Sequence, residues 1–178
     1  MTAAEGTAAD PFGEPDHTLA EPHALLSAYL DVYRDALLRK LDGLPEAELR
    51  RSALPSGWTP LELVHHLRHV ERRWLRWGFL GEDVPAPWGD ADAEGRWRVP
   101  ADASAEAVFA AFREQCADSR RIVEGAPLAA RAAVGGRFAT AEEAPTLAWI
   151  LCHLFQEYAR HVGQLDVVRE MTDGEVGE

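Results

Sequence analysis

The sequence predicts an all-α protein, a four-helix bundle. Three observations predict it. Four stretches carry apolar residues at helical spacing, and each is bounded by capping or breaking residues. No stretch shows the strict alternation of a half-buried strand. No internal repeat at a fixed period points to a solenoid or a propeller.

The elements follow in order. Residues 1–18 are mostly small, polar or acidic, with Pro11, Gly13 and Pro15, and read as a mobile tail. From about Ala20, Leu25, Leu26, Tyr29, Leu30, Val32, Tyr33, Leu37 and Leu41 recur at helical spacing, and Gly43 and Pro45 end the run. Thr59 can cap the second helix, Pro60 suits its first position and Glu62 completes a capping box, so this helix runs from about Pro60 to Phe79. Residues 81–102 hold Pro85, Pro87, Gly89, Gly95 and Pro100 among many acids, with Trp88 and Trp97, and read as a long loop. Loops of this length often serve as lids. Ser104 can cap a third helix, about Ala105 to Glu124, with Val108, Phe109, Phe112 and Val123 on its apolar side. Residues 128–143 are irregular. Pro145 opens the last helix, to about Met171, with Gly174 past its end. The expected division is a tail over 1–18, one helical domain over 19–173 and a short tail over 174–178.

A chain of 178 residues, 47% hydrophobic, can bury one ordinary core. Its formal net charge of −12 argues against a nucleic-acid binder, which needs a basic stripe to neutralise phosphates. The two cysteines, Cys116 and Cys152, form no CxxC pair and read as small core residues. No apolar run reaches the length of a membrane span, and the first residues lack a basic and apolar leader pattern. The expected location is therefore cytoplasmic.

The chemistry concentrates in the last helix. Glu157 and His161 lie four residues apart, which stacks them on one helix face. Ile150, Leu154, Leu165 and Val168 share that face, so a carboxylate and an imidazole are expected inside an apolar stripe. A buried carboxylate is costly unless paired or bound to a metal, and helical bundles hold metals with inward-facing Glu and His. The second helix offers His65, His66 and His69. His65 and His69 share a side with Arg68, Arg72 and Arg76, which reads as a solvated face. His66 shares its face with Leu63, Val70 and Trp74, and is the histidine able to meet Glu157 and His161. Two histidines and one carboxylate with an open position suit a divalent metal, zinc foremost, and the same set also fits nickel, manganese or non-haem iron. His153, one turn before Glu157, reads as a fourth ligand, a group behind the ligands or a lining residue. Gln164 reads as a hydrogen-bonding neighbour.

Two segments carry a resemblance. Residues 57–74, Gly-Trp-Thr-Pro-Leu-Glu-Leu-Val-His-His-Leu-Arg-His-Val-Glu-Arg-Arg-Trp, are similar to the Trp…His-Leu…Glu…Trp helix of the DinB-like superfamily of metal-binding four-helix bundles. Residues 147–170 are similar to that family's closing helix, with its Glu, Ala-Arg-His, Gly and Asp. With the helix order, the likeness covers about residues 20–172. The resemblance implies three metal ligands, carried over to His66, Glu157 and His161. The Glu-x-x-x-His form resembles the actinobacterial branch that includes mycothiol-dependent maleylpyruvate isomerase. The extra C-terminal domain of that isomerase has no counterpart here, so its particular reaction is not expected. Gln164 stands where a His is often found. The resemblance further implies a homodimer and a mycothiol-type thiol as cosubstrate.

Four readings of function remain open at this point. A metal-dependent enzyme would use the thiol for S-transfer or isomerisation of a small-molecule substrate, with Arg160 holding an anionic group and the 81–102 loop closing over the site. A metal-dependent hydrolase would activate water, with His153 as base. The metal, or a polar cluster without it, would only tie helices together. A binding or stress-response module would use the bundle without chemistry.

Overall fold

The computed structural model describes residues 13–176, so most of the expected N-terminal tail, and the last two residues, lie outside the described residues. The elements are α1 (Pro22–Leu41), a one-turn α2 (Glu46–Leu49), α3 (Pro60–Glu71), a π-helical continuation of α3 (Arg72–Phe79), α4 (Ala105–Val123) and α5 (Leu147–Asp173). The four-helix bundle expected from the pattern is the observed one. Helix α1 packs along α5, α3 packs along α4, and α3 also meets α5. Among the described residues there is no strand, only single bridges such as Ala91–Trp97. No helix among them is long and apolar enough to cross a membrane.

The caps account for the helix limits. The Thr59 side chain accepts the Glu62 N–H while Glu62 accepts the Thr59 N–H, so the capping box forms as the spacing requires. Ser104 caps α4 through the Ala107 N–H. Helix α5 starts two residues later than Pro145 suggests. Thr146 caps it, and carbonyls of the 128–143 segment's start, Leu128 and Ala130, accept the first helical N–H groups of Ala148 and Leu147. Its far end closes on Gly174 in the left-handed conformation, φ 80°. Helix α2 is too short to leave a periodic signature in the sequence.

The second expected helix reaches Phe79, but not as one α-helix. From Arg72 it winds as a π-helix, and the Leu80 N–H donates five residues back to Leu75 O at 3.0 Å. The segment beyond the 128–130 strap then clamps this turn. Ala133 N–H donates to Phe79 O at 2.9 Å and Arg137 N–H to Trp77 O at 3.0 Å. The approach is close enough that a Cβ on Gly136 would stand 2.2 Å from Trp77 O, so only glycine fits there.

All four long helices meet at Glu71, which is 0% exposed. Arg34 of α1 donates from Nε to Glu71 Oε1 at 2.8 Å, Tyr158 of α5 donates its hydroxyl to the same oxygen, and the Cys116 thiol of α4 lies 3.7 Å from it. Burial alone would raise the Glu71 pKa, but the Arg34 charge and hydrogen bond outweigh it and hold it below the usual value. Burial pushes the Cys116 thiol far up, so this cysteine is inert at neutral pH. Cys152, expected in the core, is exposed instead, because it falls on the outer side of α5.

Removing one partner of this buried pair strands the other charge in the core. Glu71→Ala is expected to cost about 3–5 kcal/mol of stability, read by urea denaturation of both proteins, and a loss below about 1 kcal/mol would show that the cluster is not the structural tie described. Because the Glu71 pKa is lowered on folding, its contribution is complete above the unfolded value near 4.5 and is lost as pH falls through the depressed value.

Candidate metal centre

Helix α3 supplies His66, and α5 supplies Glu157 and His161. One donor atom from each lies within 4.8 Å of the other two. The spacing on α5 brings Glu157 Oε2 to 3.3 Å from His161 Nε2, and the His66 and His161 rings meet edge to face with centroids 5.2 Å apart. The three side chains sit at the margin of the apolar stripe, not inside it: Ile150, Leu154 and Leu165 are fully buried, whereas the His66, His161 and Glu157 side chains are 12%, 16% and 26% exposed. The buried stripe runs through Tyr158 and Val162, one helical position round from Glu157 and His161. That offset leaves the three donors reachable from solvent.

Each imidazole is oriented from behind. His66 Nδ1 is 2.8 Å from Asp90 Oδ2, and His161 Nδ1 is 3.1 Å from Gln164 Oε1. Both partners are acceptors, so both Nδ1 atoms carry the proton and both Nε2 atoms present a lone pair. Gln164 thus has the neighbour role that its spacing suggested. His161 Nε2 then faces a carboxylate oxygen at 3.3 Å, an acceptor against an acceptor, which a shared cation or proton resolves. His153 Nε2 approaches the other oxygen, Oε1, at 3.3 Å, and its ring stacks on Trp149 at 5.3 Å.

Protonation states suit a cation. Burial lowers the His66 pKa and outweighs the Asp90 carboxylate, so the ring is neutral at pH 7. The neighbouring His161 ring lowers the Glu157 pKa and outweighs burial, so the carboxylate is ionised. Neutral imidazoles and an ionised carboxylate are the forms that bind divalent metals, and two histidines with one carboxylate fit such an ion.

No sequence signal distinguishes Asp90, one acid among many in the 81–102 loop. It is 2% exposed. Arg73 donates from Nη1 to Asp90 Oδ1 at 2.5 Å and to Pro87 O at 3.3 Å, so the guanidinium ties the loop to the π turn. Burial alone would raise the Asp90 pKa, but the bonds from His66 and Arg73 outweigh it and hold the carboxyl well below its usual range. Trp97, from the same loop, stacks on His66 at 4.0 Å and meets His161 edge-on at 5.1 Å. Trp88 lies under the Arg73 guanidinium at 4.5 Å and stays 56% exposed.

The loop also corrects the expectation for His65 and His69. Their face is buried, at 6% and 4% exposure, because residues near Gly89 fold over it. A Cβ at Gly89 would stand 3.2 Å from His69 Nε2. Burial pushes the His69 pKa down to about 4. Arg160 is exposed on α5 and makes no hydrogen bond or ion pair among the described residues. A cavity of about 350 Å³ lies elsewhere, walled by Leu30, Arg34, Leu75 and Leu151, and includes none of the three donors.

A family model described as Mycothiol-S-transferase matches residues 25–174, and the chain belongs to that family. The match spans every helix that supplies a donor and fits the DinB-like, mycothiol-dependent branch that the two motifs resemble. No curated protein matches the chain.

If Asp90 anchors the loop, Asp90→Ala leaves Arg73 buried without its partner and frees residues 86–92. Their amides are expected to exchange with deuterium at least about tenfold faster while the centre of α5 stays protected. Unchanged exchange would show that the loop is held by other contacts.

Proposed function

We propose that the chain transfers the sulfur of a mycothiol-type thiol to a small electrophile, with a divalent cation, zinc foremost, held by His66, Glu157 and His161. The observation that carries this reading is the convergence of three ligand-type atoms from two helices, each with a supporting group behind it, in a chain of the mycothiol-S-transferase family. When bound, a divalent cation lowers the pKa of a thiol and so supplies a nucleophilic thiolate at neutral pH.

The remaining work falls to the chain. Asp90 and Gln164 keep the Nε2 lone pairs of His66 and His161 directed at the centre. His153 Nε2 stands 3.3 Å from Glu157 Oε1, which leaves Oε2 to the centre. Trp97 covers the His66 face and keeps water from that side. In the transfer a carbon–sulfur bond forms; the electrophile either loses a leaving group, with the thiol proton passing to solvent or to that group, or opens a double bond whose far atom takes up a proton from solvent.

Two measurements test this. Elemental analysis of untagged protein is expected to find about one divalent metal per chain, and His66→Ala, Glu157→Ala and His161→Ala are each expected to weaken binding by well over tenfold while the helical circular dichroism persists. Thiol consumption with a panel of electrophiles is then expected in the loaded wild type and not in the three variants. Wild-type protein that binds no zinc, nickel or manganese would sink the proposal.

A further inference from the structure

Beside the centre stands a cation without an anion. Arg137 lies over the ring of Trp74 at 4.2 Å, Trp88 at 5.4 Å and Trp77 at 5.5 Å. Its Nη1 is buried and has no hydrogen-bond partner, and no acid pairs with it among the described residues. Arg73, the other guanidinium on this side, differs because Asp90 neutralises it. Exposed arginines such as Arg160 also lack acid partners among the described residues, but water solvates them, whereas the Arg137 Nη1 is enclosed. Its position is enforced by the backbone: the Arg137 N–H is bonded to Trp77 O, and its stem passes Gly78, where a Cβ would stand 3.7 Å from Arg137 Cδ.

The route from Arg137 to the proposed centre is short. Trp74 carries Arg137 on one side and meets the His153 ring at 4.3 Å. His153 in turn reaches Glu157 at 3.3 Å. Around this route Trp149 and Trp88 expose flat apolar surface, at 51% and 56%. The aromatic faces hold the guanidinium in place and enclose Nη1, while Nε and Nη2 have no hydrogen-bond partner among the described residues, and that planar edge of two N–H groups matches a carboxylate.

We propose that Arg137 is the recognition residue for a carboxylate on the electrophile, and that the flat, conjugated or aromatic body of that molecule stacks on Trp149 or Trp88. The guanidinium fork accommodates the oxygen pair of a carboxylate or of a phosphate, and the test below separates the two. This deepens the function proposed above and rests on reading the surface beside His153 as the substrate's place. Burial, and then the nearby Arg73 charge, lower the Arg137 pKa, as expected of a guanidinium that lacks a counter-ion. Of the two arginines considered, Arg160 points into solvent from α5 and has no aromatic support.

The test uses full-length protein freed of metal with a chelator, so that a failure of the metal–thiol reading does not touch it. Benzoate, benzamide and phenyl phosphate are titrated against intrinsic tryptophan fluorescence, which reports on the three rings around Arg137. Benzoate is expected to bind wild type at least about tenfold more tightly than its neutral isostere benzamide, Arg137→Met to lose that preference, and Arg137→Lys to keep only part of it. Equal binding of benzoate and benzamide to wild type, no saturation by benzoate at all, or an unchanged preference in a folded Arg137→Met variant would each overturn the assignment. Tighter binding of phenyl phosphate than of benzoate would overturn the carboxylate in particular. Absence of the preference in the wild type alongside intact thiol transfer would remove this inference and leave the proposed function standing.

Discussion

The Glu71 carboxylate is the contact on which the rest of the molecule depends. It joins α3 to α1 through Arg34, to α5 through the Tyr158 hydroxyl and to α4 through Cys116. A buried ion pair is weak evidence for stability, since apolar residues of the same size often serve as well. Its value here is rotational. Tyr158 is the neighbour of Glu157, so bonding its hydroxyl to Glu71 sets the phase of α5 against α3. With that phase set, Glu157 and His161 fall at the edge of the buried stripe and face His66, five residues before Glu71. A slip of either helix by one position would direct these donors into the core or away from one another.

The π turn and the two long connections complete the surroundings. Beyond Glu71 the chain winds wider, which places Arg73 and Trp74 on the side of the centre while Leu75 remains fully buried. Wide turns leave carbonyls poorly satisfied, and the strap around Ala133 and Arg137 supplies the missing N–H groups. The same strap therefore stabilises the turn and delivers the Arg137 guanidinium among the tryptophans. The loop over residues 81–102 acts from the other side: Asp90 orients His66, and Trp97 lies flat on it. Both connections have regular secondary structure only as single bridges, yet each is tied by buried groups, so they behave as walls of the site.

Charge is distributed with the same economy. The chain is strongly acidic as a whole, but around the centre each acid has a partner: Asp90 with His66 and Arg73, Glu157 with His153 and His161. Arg137 stands apart as a cation balanced only by aromatic faces. Arg137 is half-buried, so it gives up part of its hydration, and aromatic faces offset only part of that cost. Such a group is a site where an arriving anion gains more than it would at the surface.

By itself the sequence determined the four long helices and the caps at Thr59 and Ser104, and it singled out His66, Glu157 and His161, whose ligand-type atoms the fold brings within 4.8 Å of one another. Helical spacing and capping are local properties: Thr59 and Glu62 find each other within one turn, and Glu157 and His161 stack on any helix that contains them. The motifs around His66 and Ala159-Arg160-His161 were enough to indicate the family. Only the tertiary structure decided what the connections do. A periodicity argument treats His65 and His69 as solvated beside their arginines, because it has no means of seeing a distant loop fold over them. It cannot single out Asp90 from the other acids of that loop, nor bring Arg137 to Trp74 across more than sixty residues, because such contacts depend on where a non-repeating backbone is pinned. The burial of a loop side chain is set by long-range closure, and long-range closure has no period to read.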